Sequence, residues 1–136
     1  MTSAQRRGLA VLLVATTVFA MAALVSGAAF LVQPIGPFPL GNLLTVLGLV
    51  GMPLAAWLYS GSRAWLRGFC VVAIALALAW YPVSIALAGN LHLSFSGNHG
   101  FTWLVITAVI TLLSLSAPMV VAIVRLVDRL RGRRDD

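Results

Sequence analysis

Two long stretches of the chain, residues 8–62 and 68–124, contain no Asp, Glu, Lys or Arg. As one helix either would reach roughly 80 Å at 1.5 Å per residue, against a hydrocarbon core of about 30 Å, so each must fold back on itself as a helical hairpin. The first breaks at QPIGPFPLG, residues 33–41, where three prolines and two glycines remove backbone donors and disfavour helix. The second breaks at LHLSFSGNHGFTW, residues 91–103, which holds both histidines. Four spans are predicted, near residues 8–32, 40–59, 69–88 and 101–124, each close to the ~20 residues a crossing needs. The expected fold is an all-α integral membrane protein, a four-transmembrane-helix up-down bundle of two hairpins. It forms one domain over residues 1–136, with 125–136 as a basic cytoplasmic tail continuing the fourth helix into the headgroups. Pro53, Pro82 and Pro118 fall within spans, where each removes a backbone hydrogen bond, and kinks are expected there.

Composition agrees with the pattern. Apolar residues make up 61% of the chain and charged residues 9%, where a soluble domain has about a quarter charged. The placement of charge adds orientation. All nine basic residues are arginines, confined to Arg6 and Arg7, to Arg63 and Arg67, and to Arg125, Arg129, Arg131, Arg133 and Arg134. An even number of crossings separates these groups, so all three lie on one side. The positive-inside bias makes that side the cytoplasm, with an N-in/C-in topology and both charge-free loops outside. Arginine used to the exclusion of lysine suggests a GC-rich prokaryotic genome, and the expected location is a bacterial cytoplasmic (inner) membrane.

The first span resembles a signal peptide in its basic start and its Ser26-Gly27-Ala28 run. Its apolar stretch exceeds the usual 7 to 15 or so residues, so an uncleaved span is expected. Small residues four apart, at Ala22 and Ser26, Ala23 and Gly27, Ala73 and Ala77, and Ala75 and Ala79, would permit close approach of the first and third helices. Trp57, Tyr59 and Trp65 mark the inner interface and Trp103 the outer one. Residues 51–68 and 116–132 share a faint pattern of Pro, apolar run and Leu-Arg-Gly, readable as a duplication or as chance. Cys70, the lone cysteine, is expected to be a small buried side chain that stays reduced.

The chemistry-bearing residues are few. The carboxylates Asp128, Asp135 and Asp136 fall on the cytoplasmic side and His92 and His99 on the outer, roughly 30 Å apart, so no Ser-His-Asp triad, carboxylate pair or His-carboxylate metal site assembles within one chain. An enzyme is therefore not expected. No ionisable residue lies in a span, which argues against proton-coupled exchange while leaving a carbonyl-lined or oligomeric pore open. His92 and His99 are weak haem or metal candidates, because a metal site recruits about three or four ligands. The period-two alternation of residues 91–96, ending at Gly97-Asn98, instead predicts a short outer-rim strand and turn with solvated histidines, and no cofactor.

Thr107, Thr111 and Ser114 share one face of the fourth span with Pro118. They would line a pore, or serve packing, with Ser114 donating to the carbonyl that Pro118 frees. The C-terminal arginines are worth about 1 kcal/mol each toward anionic lipid headgroups. With no interleaved aromatic residues and a span immediately before them, they do not read as a nucleic-acid site. The expected function is an accessory, assembly or immunity-type subunit that packs against a larger membrane partner or against itself. The alternatives are an oligomeric small transporter or channel lined by the fourth helix, and a haem-binding redox anchor.

Overall fold

The computed structural model describes residues 2–132, so Arg133 and Arg134 and the last two aspartates lie outside the described residues. Four helices form the molecule: α1 (Ser3–Ser26), α2 (Leu40–Tyr59), α3 (Ala64–Ala88) and α4 (His99–Gly132). All four are long and apolar enough to cross a membrane.

Local chemistry explains the helix limits. Thr2 caps α1, its hydroxyl accepting from the Gln5 amide while the Gln5 side chain accepts from the Thr2 amide at 2.8 Å, a reciprocal pair that satisfies two free donors. Gly27 ends the same helix in the left-handed conformation at φ +63°, which only glycine adopts without strain. The first span is thus helical from Ser3 and stops at Ser26, and Ala29–Val32 is a separate 3-10 turn. α2 matches the predicted 40–59. α3 begins before the predicted 69, because its interfacial residues Trp65 and Arg67 are good enough helix formers for charge not to delay it. α4 overruns 101–124 at both ends and takes in the basic segment through Arg131. At about 1.5 Å per residue α4 is roughly 50 Å long, so its ends pass beyond a bilayer core.

Strand appears in the other loop from the one expected. Pro34–Ile35 (β1) and Phe38–Pro39 (β2) pair antiparallel around Gly36, which has φ +63°. Residues 93–96 form no strand. The reason is that Asn90 takes up the polar groups a neighbouring strand would have paired. Its amide nitrogen donates to Ala88 O and Ser94 O, and its oxygen accepts from Ser94 N at 3.0 Å. Gly97 does adopt positive φ (+61°), as the turn requires.

α2 is the central helix, packed on α1, α3 and α4, while α3 packs on α4. The close contact with α1 is made on glycine. Thr17, buried in α1, sets its hydroxyl on Gly51, and Met21 Cε would meet a Cβ at Gly48 at 3.1 Å. The small pairs read from the sequence divide: Ala73 and Ala77 are buried, whereas Ala22, Ser26 and Ala75 are exposed, and α1 lies on α2 rather than on α3. One core cluster joins Ala56, Leu66, Cys70, Ala117 and Val121, and a second joins Leu49, Ala77, Trp80 and Ile110. The pattern shared by residues 51–68 and 116–132 is not a structural repeat. The former turns between α2 and α3 at Gly61 (φ +70°), and the latter is continuous helix.

Candidate functional site

At the loop end the chain is held by polar contacts rather than by sheet. The Leu91 carbonyl accepts from Asn42 Nδ2 at 3.1 Å and from Tyr81 Oη at 3.3 Å, which ties the α3–α4 connection to α2 and α3. Aromatic rings continue the cap, with Phe38 edge-on to Tyr81 and Phe95 within 4.9 Å of Trp103. His92 is exposed at a small pocket of about 360 Å³ shared with Trp80, Phe95 and Trp103. His99 opens α4, also exposed, and does not line that pocket. Among the described residues no three His, Cys, Asp or Glu side chains come together as a metal group would need.

Below this cap α3 and α4 exchange two hydrogen bonds. Trp80 Nε1 of α3 donates to Thr107 Oγ1 of α4 at 2.8 Å, and Trp103 Nε1 of α4 donates to Ser84 Oγ of α3 at 2.9 Å. Ser84 is itself oriented, donating to Trp80 O at 2.7 Å, and one turn after Thr107 the Thr111 hydroxyl donates to Thr107 O at the same length. A buried indole keeps its N–H only with a partner, and a serine or threonine in an apolar helix bonds back to the preceding turn, so each group here answers the other's need. Of the Thr107, Thr111 and Ser114 stripe, Ser114 is buried and the two threonines are half-buried, Thr107 bonded to Trp80 and Thr111 to its own helix. Ser114 departs from expectation: its hydroxyl is buried without a hydrogen-bond partner and does not donate to the carbonyl that Pro118 frees. Pro53, Pro82 and Pro118 all lie inside helices.

The arginine end is built differently. Arg125 Nε donates to Tyr59 O at 2.9 Å, and its guanidinium lies over Gly61, where an added Cβ would meet Nη2 at 2.5 Å. Arg63 pairs with Asp128, and Arg67 lies over the Trp57 ring, 5.5 Å from its centroid. The Arg125 and Arg63 contacts fasten α4 to the α2–α3 turn, and the Arg67 contact joins α3 to α2. On the other side α1 and α4 diverge and leave a cleft of about 1380 Å³ floored by α2. Its walls are apolar, with Ala10 and Val14 on α1, Ala55 on α2, and Val121 and Ala122 on α4. Arg6, Arg7, Arg125 and Arg129 stand at its rim.

Sequence reasoning placed these arginines on one side but did not find the cleft, because it arises from two helices that fail to meet. The indole donors at Trp80 and Trp103 were also missed. For Trp80 the signal was present, since a tryptophan deep in an apolar span needs a hydroxyl or carbonyl within reach. No family model, no curated protein and no solved structure matches this chain.

Proposed function

We propose that the chain is a non-catalytic, multi-pass subunit of a prokaryotic cytoplasmic membrane that works by packing against a larger membrane protein. In this reading the helices run up and down with both termini and the α2–α3 turn in the cytoplasm, and they bend at Pro53, Pro82 and Pro118. The observation that carries it is the use made of the polar groups inside the spans. Thr107 and Ser84 accept from the two indoles, and Thr111 bonds back to its own helix. A conducting path would need such groups turned to water; Thr107 and Ser84 instead hold α4 to α3. The rest of the polar chemistry is divided between the two ends, with Asp128 engaged by Arg63 and both imidazoles at the opposite end. That division favours a structural role over catalysis or redox chemistry.

The test of the subunit reading is affinity purification of a tagged chain from its own membrane in mild detergent. A larger membrane protein should accompany it in fixed ratio. Recovery of the chain alone, together with a flux in proteoliposomes that Thr107→Val, Thr111→Val and Ser114→Ala abolish jointly, would replace the reading with a transporter. Orientation is checked separately with single cysteines at Ser62 and at Ser96 in a Cys70→Ser background. An impermeant thiol reagent applied to intact cells should label only Ser96→Cys, and labelling at Ser62→Cys alone would invert the topology.

A further inference from the structure

The cleft between α1 and α4 combines three features that together describe one kind of occupant. Its walls are apolar and its rim carries four arginines. Its apolar depth along α4, from below Arg125 to Pro118, is about 10 Å at 1.5 Å per residue, a large part of one leaflet of a hydrocarbon core of about 30 Å. A molecule that fills it must therefore be apolar over the outer part of one leaflet and anionic at the level of the headgroups.

We propose that this cleft binds one anionic glycerophospholipid of the leaflet on the arginine side. Its phosphate lies between Arg125 and Arg129 with Arg6 and Arg7 opposite, and its acyl chains run along the exposed Val14, Ala15 and Ala122. Arg125 lines the cleft with its Nε held by the Tyr59 carbonyl and its guanidinium against Gly61, so its charge is kept in place at the rim. Asp128 also lines the cleft, but its charge is met by Arg63 from outside it, so the rim keeps its positive excess. A second copy of the chain is a poor occupant, since it would set arginines against arginines. A partner's helix, about 10 Å across, would have to bring carboxylates to match the rim. The proposal depends on the membrane placement and not on the existence of a protein partner.

The experiment uses the full chain alone, reconstituted in phosphatidylcholine bilayers with a trace of spin-labelled phosphatidylglycerol or spin-labelled phosphatidylcholine. The motionally restricted fraction should favour phosphatidylglycerol by about fivefold, the effect of roughly one well-placed arginine. Arg129→Gln should lose most of that selectivity, and Arg131→Gln, at nearly the same depth but outside the cleft, should keep it. Ala122→Phe, which fills the cleft without changing charge, should abolish it, and Ala15→Phe does the same from the opposite wall should the first variant misfold. Equal losses in Arg129→Gln and Arg131→Gln, with selectivity intact in the phenylalanine variants, would show a general surface charge effect and overturn the site. Absence of selectivity in the wild type would overturn it too, and would leave the cleft to a partner's helix; the purification above reads that outcome independently.

Discussion

Gly51→Ala is expected to destabilise the bundle by about 1–3 kcal/mol, the range for an extra methyl forced into a packed interior. The added Cβ would stand closer to Thr17 Oγ1 than real contacts allow, and 3.5 Å from the Leu13 carbonyl. Relief would require α1 to move off α2, along the most extensive contact it makes. The second half of the prediction is a rescue. In Thr17→Ala the hydroxyl is gone, and the remaining Cβ would be an ordinary 3.5 Å neighbour of the new methyl. Thr17 Oγ1 is buried without a hydrogen-bond partner, so Thr17→Ala alone should be neutral or mildly stabilising. Unfolding in mixed micelles of the two single variants and the double variant should therefore give a coupling of about 1 kcal/mol or more, at the scale seen for residues in contact. If Gly51→Ala costs as much in the Thr17→Ala background as in the wild type, the close approach of these helices is not what Gly51 serves.

That contact also shows where sequence reading stops. The four spans were legible because charge is excluded from the membrane core, and the limits of α2 were legible because Pro39 and the glycine turn before Arg63 punctuate it. The end of α1 was not, since hydropathy runs on through residues 27–32 while the backbone turns at Gly27. The alternation of residues 91–96 suggested a strand, but a strand needs a partner and the Asn90 side chain supplied one first. Small residues were sought as pairs four apart on the first and third helices, whereas the contact that matters pairs a threonine on α1 with glycines of α2. Spacing along one helix does not say which neighbour it will meet. The cleft was still less accessible, being a property of the space between α1 and α4 and of no residue in particular. The sidedness of the arginines, by contrast, is a linear property; Arg63 and Arg125 meet at the α2–α3 turn, and Arg6, Arg7, Arg125 and Arg129 line the cleft.

Trp80 offers the strongest test of the idea that polar groups in the spans serve as fastening. It is 2% exposed, lies in the core cluster with Leu49, Ala77 and Ile110, and its indole N–H reaches across to Thr107. Within a membrane the apolar surface gains little from leaving lipid, so helices hold together by close packing and by such bonds. Trp80→Ala removes both and should cost about 3–5 kcal/mol. Trp80→Phe keeps most of the packing and loses only the donor, so its cost should be near the ~0.6 kcal/mol typical of a bond between membrane helices and no more than about 1.7. Thr107→Val should lose a similar small amount, because it leaves the indole N–H without an acceptor, and it should add almost nothing on top of Trp80→Phe. Non-additivity of that kind, read by denaturant unfolding in the same micelles, identifies one shared bond. Full additivity of Trp80→Phe and Thr107→Val would mean that the two groups act separately. The hydroxyls of α4 would then be free for the water-facing role that the subunit reading denies them.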